Sequence, residues 1–103
     1  MKITTPKEGL EINKRFFLAL AKLKEEKIIR GMHTFTKRYG LNYRNILWLR
    51  DEPEGRRLPP EYLVYLVRDY GISPYWLLLG KGEIFDVNNN FSPKIFTNTS
   101  QKV

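Results

Sequence analysis

The stretch Met32-His33-Thr34-Phe35-Thr36-Lys37-Arg38-Tyr39-Gly40-Leu41-Asn42-Tyr43-Arg44-Asn45-Ile46-Leu47-Trp48-Leu49-Arg50 decides how this chain is read. Phe35 and Tyr39 stand four residues apart, the spacing that places both on one side of a helix. Gly40 ends that run, because glycine takes the left-handed backbone that closes a helix without steric penalty. Leu41 follows, and Asn42 is suited to open the next helix, its side-chain oxygen accepting a free backbone N–H. Ile46 and Leu49, three residues apart, then point inward. The pattern predicts two short helices, 32–39 and 43–50, joined by a tight turn.

On the N-terminal side, residues 1–9 are polar, with Pro6 and Gly9, and read as a flexible lead-in. From Leu10 to Glu26, Ile12, Phe16, Ala19, Leu20 and Leu23 form one stripe of a 3.6-residue period, with charged residues opposite. This predicts a long first helix, interrupted by Gly31. On the C-terminal side, Asp51 to Leu58 reads as a loop from its Pro53 and Gly55. Pro59-Pro60 opens a fourth helix, where proline is tolerated because the first-turn N–H groups lack partners anyway. Leu63, Leu66, Val67 and Tyr70 are its expected buried stripe, and Gly71 its stop. A short fifth helix is bounded by the cap Ser73, Pro74 at its first position and Gly80, with Trp76 as its expected apolar anchor. No alternating run argues for a sheet. The expected organisation is a lead-in over 1–9, one all-α domain of five helices over 10–85, and a polar, mobile tail over 86–103.

Composition narrows the function. The 103 residues hold no cysteine and one histidine, His33, which excludes disulfides and thiolate zinc sites and leaves no basis for a histidine-relayed triad. The longest apolar run, Phe16 to Ala21, is far below the roughly 20 residues that span a bilayer, and no secretory signal follows Lys2. The chain therefore reads as a cytoplasmic domain away from membranes. No paired carboxylates, nucleophile–base set or phosphate-cradling loop appears, and Gly80-Lys81-Gly82 lacks Walker spacing, so neither enzyme activity nor a metal, cofactor or small-molecule ligand is expected. The net charge of +7 is unevenly placed. Lys27 to Arg50 carries six basic residues and no acidic one, whereas Leu58 to Asp86 carries two basic and four acidic ones. A lopsided cationic window is an electrostatic footprint for nucleic acid.

That window coincides with the two helices and their turn. Helices joined so closely cross at about 90–120°, and the second can enter a DNA major groove. Here the sequence resembles a family. Met32 to Arg50 is similar to the helix-turn-helix of Cro/CI-type, Xre-like phage repressors. Tyr70-Gly71-Ile72-Ser73-Pro74-Tyr75-Trp76-Leu77-Leu78-Leu79-Gly80-Lys81-Gly82 is similar to the Gly-Val-Ser-x-x-Trp-Leu-Leu-x-Gly-x-Gly ending of CI-repressor domains. The resemblance covers about residues 11–85 and implies a five-helix, lambda-repressor-like domain, a transcriptional regulator binding operator DNA as a homodimer. Carried over by position, it implies Asn42, Tyr43, Arg44, Leu47 and Trp48 as base readers. Arg44 can fork onto guanine or contact a phosphate, while Asn42 can equally serve as a cap. Phosphate contacts are expected from Met32 and His33 at the start of the second helix, and from Lys37, Arg56 and Arg57. The sequence departs from the family with Met32 where glutamine is common and Thr36 where alanine is favoured. The dimer surface implied by analogy comprises Trp76, Leu77 to Leu79 and the tail aromatics, and no sensing or self-cleaving domain is expected.

Leu47 and Trp48 keep a second reading open. They stand at outward positions where polar residues are usual in the family. An apolar pair there suits thymine methyl groups, or else an adaptor or antitoxin-like module that binds protein through the same fold.

Overall fold

The structure, a computed structural model, describes residues 5–86. Five helices occupy most of that span: α1 Lys7–Glu25, α2 Met32–Tyr39, α3 Tyr43–Asp51, α4 Pro60–Tyr70 and α5 Pro74–Leu79. Among the described residues the only β pairing is an isolated antiparallel bridge between Ile72 and Phe85. The chain groups into two compact units that divide after Leu58.

In the first unit, α1 begins at Lys7, inside the segment expected to be a flexible lead-in. Leu10 N donates to Pro6 O at 3.0 Å, closing the first turn. Thr5 is tied to the 53–55 loop: its Oγ1 accepts from Gly55 N at 2.7 Å and its N–H donates to Glu54 Oε2 at 3.1 Å. A hydrogen-bonding threonine leaves no trace in hydrophobic periodicity, so the periodicity places the start three residues late. The other end of α1 falls within one residue of the expected Glu26, at Glu25. The helix closes before Gly31, with Lys27 in the left-handed region at φ 64° and Ile28 N donating back to Leu23 O at 2.9 Å. A side chain in that conformation is strained by about 1–2 kcal/mol, which the closing hydrogen bonds offset.

Phe16, Ala19, Leu20 and Leu23 are buried as the stripe predicts, together with Asn13, whereas Ile12 is only half-buried. α3 packs against both α1 and α2. Phe16 and Phe35 meet edge to face with centroids 5.7 Å apart, and Ile46 and Leu49 lie inward as expected. Edge-to-face pairs add roughly 0.5–1.5 kcal/mol to the burial of their area. Thr36, also buried, donates from Oγ1 to His33 O at 3.1 Å, which gives the hydroxyl an acceptor inside its own helix.

In the second unit, α4 buries Tyr62, Leu66, Asp69 and Tyr70, while Leu63 and Val67 are only half-buried. The face is rotated from the aliphatic stripe the sequence suggests. Asp69, 3% exposed, sits there because the Arg68 guanidinium forks onto it at 2.8 and 2.9 Å. α5 spans the predicted residues, with Ser73 Oγ accepting from Trp76 N at 3.3 Å. Its deepest side chain is Leu77 rather than Trp76, which is half-buried. The segment after α5 returns to the α4–α5 turn: Ser73 N donates to Ile84 O and Asp86 N to Gly71 O, both at 2.8 Å. The expected tail over 86–103 lies, beyond Asp86, outside the described residues.

Candidate nucleic-acid interface

The turn between α2 and α3 is built as its residue types require. Gly40 is left-handed at φ 65°, and Leu41 N donates to Thr36 O at 2.8 Å, which satisfies an orphan carbonyl of α2. Asn42 Oδ1 accepts from Asn45 N at 3.1 Å. That oxygen is therefore engaged as the α3 cap, one of the two roles open to Asn42 from the sequence.

The remaining base-reading candidates divide by environment. Arg44 is exposed, and its side chain makes no hydrogen bond or ion pair with any described residue. Tyr43 is half-buried, its ring stacked on His33 with centroids 3.7 Å apart and planes 11° from parallel. Leu47 is half-buried. Trp48 stands 45% exposed and does not fold into the core. The Arg56 guanidinium covers part of its ring, 5.2 Å from the centroid.

Among the phosphate candidates, Lys37 and Arg57 are exposed, and their side chains are unpaired among the described residues. Arg56 is engaged instead: its Nε donates to Glu52 O at 2.9 Å and its Nη2 lies 3.4 Å from Glu52 Oε1. Half-buried Met32 and exposed His33 begin α2, whose first turn carries no side-chain cap. Thr34 N donates to Gly31 O at 3.1 Å instead, so only the N–H groups of Met32 and His33 stand at the open start of α2. Arg50, in the last turn of α3, forks onto Asp51 at 2.7 and 3.2 Å. That pairing raises the guanidinium pKa and holds the Asp51 carboxyl below the usual carboxylate range.

The structure thus gathers Lys37, Arg44 and Arg57 as unpartnered cations in one unit, and it engages Asn42 and Arg56 locally. Sequence spacing did not single out Lys24 or Arg30. Their side chains are also unpaired and line a hollow with His33 and Tyr43. They come from separate elements, so no single-helix pattern points to them. In α5, Tyr75 and Leu79 are 70% and 62% exposed, while Leu77, expected at the dimer surface, is fully buried and unavailable to a partner. The chain matches no family model, no curated protein and no solved structure.

Proposed function

We propose that the protein is a sequence-specific DNA-binding transcriptional regulator of the phage-repressor type. It seats α3 in the major groove and acts as a homodimer on double-stranded operator DNA. The observation that carries this reading is the α2–turn–α3 unit with Arg44 exposed and unpartnered on α3, inside a window of six basic and no acidic residues. An unpaired arginine at the start of a short helix keeps its planar fork free for a guanine edge or a phosphate. α3 is a helix of nine residues, and a helix is about 10–12 Å across with its side chains, which fits a groove about 12 Å wide. Lys37 and Arg57 add charge that can neutralise phosphates and release counterions. The exposed Tyr75 and Leu79 of α5 supply apolar surface for a second copy.

Selection of bound sites from random duplexes is the direct test. The expected result is a palindromic consensus with half-sites about 34–36 Å apart. Affinity should fall with salt at a log–log slope of about −0.9 per phosphate neutralised. No duplex binding at about 50 mM salt ends the proposal.

One observation favours a second reading. Trp48 leaves nearly half its surface exposed beside half-buried Leu47, an apolar patch of the sort that anchors a protein partner. An adaptor or antitoxin-like module would lose its protein partner on Trp48→Ala and keep any DNA affinity.

A further inference from the structure

The hollow beside the start of α2 includes two cations that the DNA-binding reading does not use, Lys24 and Arg30. It is a half-open hollow of about 610 Å³, a volume within the range of small-molecule sites. α1 contributes Phe17, Leu20 and Lys24, the α1–α2 turn Arg30, the start of α2 His33, and α3 Tyr43 and Arg50. Phe17 and Leu20 are its apolar floor, and the stacked His33 and Tyr43 rings border it as an aromatic wall. No carboxylate lines the hollow.

A third cation at the hollow, Arg50, is paired with Asp51. Elsewhere Lys22 lies 3.2 Å from Glu26, Arg15 lies 3.8 Å from Glu11, and Arg56 is paired with Glu52. Lys24 and Arg30 have no such partner among the described residues, although they border the same hollow. The backbone N–H of Arg30 is already taken by Thr34 Oγ1 at 3.2 Å, so its guanidinium is the group left to act. With Arg50, Lys24 and Arg30 make three cationic side chains around one largely apolar hollow, a lining that suits an anion bringing apolar surface of its own. The uncapped first turn of α2, which opens on the same hollow, adds the partial positive charge of a helix start.

The geometry points to a binding site for a small aromatic anion, its carboxylate or phosphate held by Lys24 and Arg30 and its ring lying between the Phe17–Leu20 floor and the His33–Tyr43 wall. Such a ligand touches His33 and Tyr43, two of the residues expected at DNA. As a regulatory site the hollow therefore rests on the DNA-binding reading, because the ligand then competes with or reshapes that surface. The binding itself does not depend on DNA.

His33 is the one histidine in the chain, so its ring proton resonance is a single local probe. The full chain without DNA is titrated with 1-naphthyl phosphate, 1-naphthoate, uncharged 1-naphthol and inorganic phosphate. Both aromatic anions are expected to shift that resonance saturably with Kd of about 1 mM or tighter, and the naphthol and inorganic phosphate to bind at least about tenfold more weakly. The exposed pair Lys24→Ala/Arg30→Ala should weaken the aromatic anions by about tenfold with helix content unchanged by circular dichroism. Three results overturn the site: no saturable shift, inorganic phosphate binding as tightly as naphthyl phosphate, or unchanged affinity in the double variant. Adding 1-naphthyl phosphate to a selected duplex complex then reads the regulatory half, expected as weaker DNA binding. Loss of duplex binding in the selection experiment overturns the regulator and leaves the titration standing. A flat titration with intact duplex binding overturns only the site.

Discussion

Two stretches of the chain end one helix and begin another by the same chemistry, yet they leave their turns in opposite surroundings. Gly40 and Gly71 are both left-handed, at φ 65° and 74°. One apolar residue follows each, Leu41 or Ile72, and a polar cap comes next. Asn42 accepts from Asn45 N at 3.1 Å and Ser73 from Trp76 N at 3.3 Å. Gly71, Ile72 and Ser73 are all buried, whereas Gly40 and Asn42 are exposed and Leu41 is half-buried. The second turn is also bracketed by backbone hydrogen bonds from the segment ending at Asp86, which satisfies groups that burial would otherwise leave unpaired. Turn chemistry alone therefore does not mark a nucleic-acid interface. The difference lies in exposure and in charge, with a basic window around the first turn and a net acidic stretch around the second.

The largest test of this contrast is stability. Ile72→Ala removes a fully buried side chain and is expected to lower unfolding free energy by about 2–5 kcal/mol. Leu41→Ala, at a half-buried site, should lower it by about 1 kcal/mol. Denaturant titration reads both, and the reverse order breaks the comparison. Next comes binding. Arg44→Ala should weaken a selected duplex by about 1–3 kcal/mol with Tm unchanged. Lys81→Ala, an exposed cation of the second region, should leave duplex affinity within about 0.5 kcal/mol. Equal losses from both in a gel-shift series would remove the distinction between the regions.

The caps sharpen the picture on a smaller scale. Asn42→Ala and Ser73→Ala each delete one cap acceptor and should each lower stability by about 0.5–2 kcal/mol. A far larger loss at Ser73 would show that burial, not the shared cap geometry, dominates there.

The smallest effects are in pH, and they have opposite signs in the two regions. Arg50 depresses the Asp51 carboxyl in the folded state. Its stabilisation is thus present above the ordinary carboxylate range and lost as pH falls through the depressed value. Burial raises the Tyr62 hydroxyl, so the fold favours its protonated form. That stabilisation is lost as pH rises beyond the ordinary tyrosine value of about 10. In thermal melts across pH, Asp51→Asn should flatten the acidic limb and Tyr62→Phe the alkaline one.

The elements themselves were readable from local chemistry. A 3.6-residue stripe from Leu10, glycines at 40, 71 and 80, caps at Asn42 and Ser73 and proline at 74 act within one turn of chain, so composition and spacing suffice to set helices α2, α3 and α5 nearly to the residue. What the sequence could not reveal depended on partners distant along the chain. Thr5 reaches the 53–55 loop and extends α1 backwards. Tyr62 and Asp69 displace Leu63 and Val67 from the buried side of α4, which a carboxylate tolerates once Arg68 is paired with it. The stacking of His33 on Tyr43, the settling of Arg56 over Trp48 and the freedom of Arg44 are decided the same way. Periodicity states which face a residue occupies. Only packing states which of its charges and rings already have a neighbour, and so which remain available to a ligand.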